Sequence, residues 1–203
     1  MERIKTKAGE NFFTQAEEKK FFATIKAHKG KQATRDYFFF KFCRITALRR
    51  QEMVRLDVGD VKGKETLTVD AWLAAKGGTG KVAIPVELQE LVRSYLYYKR
   101  QWGEACDNAA PLFVSRKGGR LALRTVNDAM TKWCKAADIR NLTPHALRHT
   151  KAHRILDDTK HLPPEDRDKK ILLASKQLRH KSLRATSIYL QPTIEQMATV
   201  GAI

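Results

Sequence analysis

Three cysteines in 203 residues, Cys43, Cys106 and Cys134, are too few and too widely spaced for a disulfide scaffold, and no CxxC pair opens a zinc site. An odd, scattered set of this kind points to reduced thiols in a cytosolic compartment. Long apolar runs are missing as well. The longest, around Tyr37–Cys43, is interrupted by Lys41 and falls far short of the roughly 20 residues a bilayer span needs. The opening MERIKTKAGE is charged and holds no apolar stretch, so no secretory signal is expected. Internal repeats and low-complexity tracts are absent. Acidic residues are scarce: 22 Asp and Glu stand against 39 Lys and Arg, a net charge of +17. A field of that sign attracts polyanions. The basic residues are spread through folded-looking segments rather than gathered on one amphipathic helix, which favours nucleic acid over a membrane surface. What is present suffices for a core, since 42% of the residues are hydrophobic, and the length fits one domain with short appendages.

Along the chain, residues 1–11 read as a basic leader. Thr14 and Glu17 form a T-x-x-E capping box that opens a helix with Phe21, Phe22 and Ile25 inward, closed by Gly30. Ala33–Arg44 reads as a buried, aromatic-rich helix, and a third runs from about Leu48 to Leu56. Leu67, Val69, Ala71 and Leu73 then alternate with polar positions or Trp72, which predicts a strand. The run Lys76–Gly80 is a glycine-rich turn, and Lys81–Val86 a return strand. The helical period resumes from Glu87 through Leu96, and again over Val126, Met130, Trp133 and Ala137. Pro144 suits an early position of a helix holding HALRH. Residues 157–170 are charged and proline-containing and read as a surface insertion. Leu172–His180 and Ser182–Tyr189 read as helices, and the tail from Ile194 is apolar on one side. The expected fold is mainly α with a small antiparallel β-sheet.

Six residues carry chemistry in order: Arg49, Lys76, His145, Arg148, His180 and Tyr189. Arginine suits phosphate because its planar fork bonds two oxygens and keeps its charge. Histidine and lysine move protons, and a tyrosine phenolate can attack phosphorus. Taken singly, each has a bland alternative: a solvated arginine, a hairpin-turn lysine, a packed histidine, a rim tyrosine. Arg44, Arg50 and Arg55 are read in that ordinary way, or as phosphate-positioning residues. His145, His149 and His153 lie four apart on one helix face, a zinc-like spacing, but no HExxH glutamate accompanies them, so no metal is expected. The KGGTG turn is not a phosphate-binding P-loop, since GxxxxGK[ST] is lacking.

The ordered set, with TALRRQE around Arg49, TPHALRHT around Arg148 and nine residues from His180 to Tyr189, resembles the catalytic domain of the tyrosine recombinases, the phage integrase family. The resemblance spans residues 12–192. It implies that Arg49 and Arg148 grip the scissile phosphate, Lys76 acts as general acid on the departing 5′ oxygen, His145 serves as base or hydrogen-bond donor, His180 donates to the phosphate, Tyr189 is the nucleophile, and Glu52 braces the site. Three departures stand out. Ala47 replaces the usual glycine of T-G-L-R, Arg179 replaces the glycine of L-G-H, and the Lys76 turn is about one residue longer than the common form, which brings Lys81 into competition with Lys76.

The implied activity is site-specific cleavage and rejoining of DNA through a 3′-phosphotyrosyl link, without metal, ATP or other cofactor. Implied partners are double-stranded DNA, sister subunits in a homo-tetramer on DNA assembled from monomers, and accessory DNA-bending proteins, in a cytoplasmic, prokaryotic or viral setting. The tail 193–203 would dock on a neighbouring subunit or pack on its own domain. Most family members carry an N-terminal core-binding domain. Its lack before Phe12 predicts either an excised catalytic fragment or a short single-domain recombinase like the fimbrial invertases, with weak, steeply salt-dependent DNA binding. Two rival classes remain: a type IB topoisomerase or telomere resolvase using the same chemistry, and a non-catalytic basic DNA-binding protein.

Overall fold

The computed structural model describes residues 11–70, 72–74, 79–159 and 161–178. Two compact units divide the chain, residues 1–151 and 152–203.

The first unit is built on helices. In α1 (Gln15–Ala27) the expected capping box is present, with Thr14 accepting from the Glu17 amide and the Glu17 carboxylate accepting from the Thr14 amide. Phe21, Phe22 and Ile25 are buried on its inner side. Gly30, at φ 115°, turns the chain into α2 (Lys31–Thr46). Four phenylalanines of α2 (Phe38, Phe39, Phe40 and Phe42) are buried because the helix is packed by α1, α3 and α5. Phe39 meets Phe113 with ring centroids 5.0 Å apart, and Phe38 meets Tyr95 at the same distance. Full burial of side chains of this size contributes about 1.5–3 kcal/mol each. The central position therefore explains the lack of an amphipathic period in α2.

Short helices α3 (Arg50–Arg55) and α4 (Val58–Val61) follow. At the start of α4, Gly59 lies so close to the Asn108 backbone that a Cβ would meet its carbonyl oxygen at 2.8 Å, and the Gly59 amide donates to that carbonyl. Among the described residues the sheet is one antiparallel pair, β1 (Thr66–Val69) and β2 (Gly80–Ala83), with Leu67 opposite Val82. β1 is shorter than its alternation suggests. Asp70 stops it by accepting from the Leu73 amide through its side chain and from the Ala74 amide through its carbonyl, which bends Trp72–Ala74 into a turn. The return strand likewise ends at Ala83, and α5 (Val86–Gln101) starts directly after Pro85.

α5 buries Leu88, Val92, Tyr95 and Leu96, and α6 (Leu123–Ala136) buries Val126, Met130, Trp133 and Cys134 on one face. α7 (His145–Asp157) starts directly after Pro144. Its first turns are tied to α1, since the Phe13 amide donates to Thr150 Oγ1 at 2.8 Å and Arg140, just upstream, pairs with Glu17 at 2.8 Å.

In the second unit, α8 (Pro164–Gln177) begins inside the charged stretch read as a surface insertion and ends before His180. Pro164 at the first helical position, followed by Glu165 and Asp166, suits a helix start. Among the described residues no helix is long and apolar enough to cross a membrane. The architecture is mainly α with a two-stranded antiparallel sheet, as the sequence pattern implied.

Candidate active site

The turn between α2 and α3 sets the geometry. α2 ends at Ala47 in the left-handed conformation, φ 56° and ψ 25°, with its amide on the Cys43 carbonyl. This is the position where the T-G-L-R pattern carries glycine, and the backbone gives the reason: a residue with a Cβ is disfavoured there by roughly 1–2 kcal/mol. Ala47 accepts that conformation while fully buried. Thr46 stiffens the turn, its hydroxyl donating to the Phe42 carbonyl and accepting from the Leu48 amide.

Two residues on, Arg49 caps α3. Glu52, fully buried, accepts from the Arg49 amide at 2.8 Å and from its guanidinium at 3.2 Å. One carboxylate thus satisfies a helix-start donor and fixes the arginine fork. Arg148, 101 positions beyond Ala47, reaches back to the same turn. It is buried, and its Nη1 donates to the Ala47 carbonyl at 2.6 Å. Lys151, one turn later on α7, donates to the Ile45 carbonyl. Two cations therefore bond carbonyls at the C-terminal end of α2, where the helix dipole favours positive charge. Burial, Arg44 and Arg148 hold the Lys151 pKa down to about 8.

His145 and Arg148 lie three apart at the start of α7, with Leu147 fully buried between them. The His145 imidazole reaches the surface and packs edge-on against His149, centroids 4.5 Å apart. Desolvation by the surrounding protein, then the neighbouring His149, Arg148, Arg49 and Arg50, push its pKa down to about 4. At neutral pH the ring is uncharged and able to accept a proton. Its folded pKa lies below the ordinary histidine value, so the stability it contributes is present above about pH 6.5 and is lost as the pH falls through about 4. A proton NMR titration of the DNA-free protein should place its midpoint well under that of ordinary histidines. A midpoint at 6.5 or higher would contradict this picture.

Other basic residues near the first box have protein partners. Arg44 pairs with Glu18 at 3.1 Å, Arg50 bonds Asn127 of α6, and Arg55 donates to the Trp72 and Ala74 carbonyls at the end of the hairpin strand. Arg120 in turn donates to the Arg55 carbonyl and pairs with Asp57. None of these partners was visible from local sequence. His153, read as a packing residue, bonds Asp157 one turn on at 2.7 Å. The structure brings Arg49, Glu52, His145 and Arg148 together in the first unit. Lys76, His180 and Tyr189, the Arg179 backbone and the tail 193–203 lie outside the described residues.

A cluster of two arginines and a neutral histidine, with one buried carboxylate in balance, can hold an anionic oxygen group and exchange a proton with it. The sequence model of the phage integrase family matches residues 11–196. The chain is 28% identical over 169 residues to the tyrosine recombinase XerC of Haemophilus ducreyi, covering 82% of this chain and 50% of that protein. It is 29% identical over 155 residues to the XerC of Vibrio cholerae, covering 75% and 45%. It therefore spans about half the length of the curated relatives it matches. Among solved structures, XerA recombinase superposes with a TM-score of 0.70 at 22% identity, over 98% of this chain and 65% of that one. The Tn1549 transposon integrase in complex with circular intermediate DNA superposes at 0.71 and 17% identity, over 97% and 67%. The fold is the one these proteins share.

Proposed function

This chain belongs to the phage integrase family, and on that premise we propose that it is a tyrosine-type site-specific recombinase that cleaves and rejoins duplex DNA through a 3′-phosphotyrosyl intermediate, without metal or ATP. The observation that carries the reading is the seating of two guanidiniums on one turn, with Arg148 on the Ala47 carbonyl and Arg49 heading the next helix under the brace of Glu52.

Arg49 and Arg148 neutralise the non-bridging oxygens of the scissile phosphate and stabilise the charge that builds up at pentavalent phosphorus. Tyr189 loses its phenolic proton, with neutral His145 as the base, and its oxygen attacks phosphorus. The P–O5′ bond breaks as Lys76 gives a proton to the departing oxygen, and His180 donates to the phosphate. The ester keeps the bond energy, so a 5′-hydroxyl from the same or a partner strand reverses the step. In this reading residues 12–192 form the catalytic domain. Duplex DNA is the substrate, subunits are monomers in solution and tetramers on DNA, accessory DNA-bending proteins assist, and the protein works on DNA in the cytoplasm. Relatives described as recombinases and a neighbouring structure with DNA bound support this choice over an inert basic protein.

Covalent capture tests it. Negatively supercoiled plasmid incubated with the protein in the presence of a chelator, then denatured in SDS, is expected to carry protein-linked nicks whose peptide maps to Tyr189. Nicking that requires a divalent cation and leaves no linked protein would reject the mechanism.

A further inference from the structure

Two adjoining concavities of about 400 and 510 Å³ lie along the flank of α6, outside the Arg49–Arg148 cluster. Gln32, Arg35, Ser115, Arg116 and Lys132 line both, so together they form one trough. One end reaches the His28–Lys31 segment before α2. The other reaches Thr125 and Asp128 near the start of α6, the helix whose Asn127 is bonded by Arg50 beside the candidate site. α2 has 16 residues, which at 1.5 Å each puts its first residue roughly 24 Å from the turn holding Arg49. That is about seven nucleotides of duplex backbone at 3.4 Å per step.

The floor of the trough is internally satisfied. Arg35 is buried on Asp36 at 2.6 Å, and Asp36 also accepts from the Trp133 indole at 2.9 Å. Lys31 is paired with Glu104, which also holds Lys99, and Arg120 is paired with Asp57. The rim differs. Lys29, Arg116, Lys117 and Lys132 are exposed, and none makes an ion pair with a carboxylate among the described residues. Of the three lining acids, Asp36 and Glu104 are already taken, leaving the exposed Asp128, itself 3.9 Å from Arg124. A tight turn holds two of the rim cations out. The Gly118 amide bonds the Ser115 carbonyl, the Ser115 amide bonds the Gly119 carbonyl, and Gly118 sits at φ 90°, which a side chain would disfavour.

A concave surface with a closed floor and uncompensated cations spaced along its rim suits a linear polyanion better than a compact one. We propose that this trough is a track for the sugar-phosphate backbone of the DNA arm flanking the cleavage point, with Lys29, Arg116, Lys117 and Lys132 neutralising successive phosphates. The assignment rests on the recombinase reading and extends it to a surface that takes no part in the chemistry. Contacts of this kind position the duplex without reading its sequence.

The test is the salt dependence of binding by the full chain to a random-sequence duplex of at least 30 base pairs. Comparison is made with the triple variant Arg116→Ala, Lys117→Ala, Lys132→Ala and with a control of equal charge, Lys19→Ala, Lys26→Ala, Lys64→Ala. These side chains are all exposed, so both variants should keep the parent's thermal melt. The trough variant is expected to lower the slope of log K against log salt by about 2.7, roughly 0.9 for each phosphate left without its cation, and the control by less than one. An unchanged slope in the trough variant, or an equal change in both, overturns the track. If the parent chain itself binds no duplex DNA, the recombinase reading fails first and takes the track with it.

Discussion

Tyr189→Phe is expected to reduce covalent capture of DNA to background while leaving non-covalent DNA binding and thermal stability close to those of the parent chain. Phenylalanine keeps the ring but lacks the oxygen that must bond phosphorus, so no phosphotyrosyl ester can form. Loss of an enzyme's nucleophile costs on the order of 10⁶ in rate, which puts residual nicking below detection in an SDS assay. The exposed tyrosines are the informative competitors. Tyr97 is 57% and Tyr98 41% exposed, and both lie near the end of α5, where Tyr98 stacks on Trp102 and Tyr97 meets Tyr98 edge-on. An adduct that persists in Tyr189→Phe and maps to either of them would move the nucleophile to α5 and dissolve the proposed site. Disappearance of the adduct with unaltered salt-dependent binding separates chemistry from affinity, because the phosphate contacts that give affinity are spread over many cations.

The parts of this fold that a sequence reveals are those whose causes are local. The Thr14–Glu17 box, the buried stripe of α6 and the H-x-x-R spacing on α7 depend on residues three or four apart, and each is present in the structure. What escaped depends on partners far away or on helices with no apolar rhythm. α4 has four residues, too few for any period, and is fixed by backbone bonds from Val58 and Gly59 to Ala110 and Asn108. The first turns of α8 are almost wholly polar, so the stretch read as loop although it starts with a helix-competent proline. Lys99 looks like an ordinary cation in the last turn of α5, yet it is fully buried because Glu104 and the Pro111 carbonyl fold back over its ammonium.

The candidate site divides along the same line. Arg49 and Glu52 are three apart, and their pairing follows from helix geometry. Arg55, Arg44 and Lys151 end on the Trp72 and Ala74 carbonyls, on Glu18 and on the Ile45 carbonyl, contacts no local pattern encodes. The Ala47 substitution was visible as a departure, whereas its left-handed backbone needed coordinates.

Arg148→Ala should combine two effects that can be measured apart. Arg148 is 5% exposed and its guanidinium is bonded to the Ala47 carbonyl at 2.6 Å, so its removal leaves a buried acceptor short of a partner. That costs about 1–3 kcal/mol, which for a chain of this size lowers the melting temperature by roughly 2–4 °C per kcal/mol. Independently, removing one preorganised donor from the transition state costs about 10²–10³ in rate. Arg148→Lys separates the two. An ammonium restores the charge and one bond to the carbonyl, so most of the thermal stability should return. It cannot hold two oxygens in the plane of a fork, so capture should stay at least tenfold below the parent. If the lysine variant recovers stability and capture together, a single charge at this position suffices and the two-oxygen grip of the Arg148 fork is not required. If stability returns and capture does not, the second face of the Arg148 fork belongs to the transition state, and its bond to Ala47 serves to aim it.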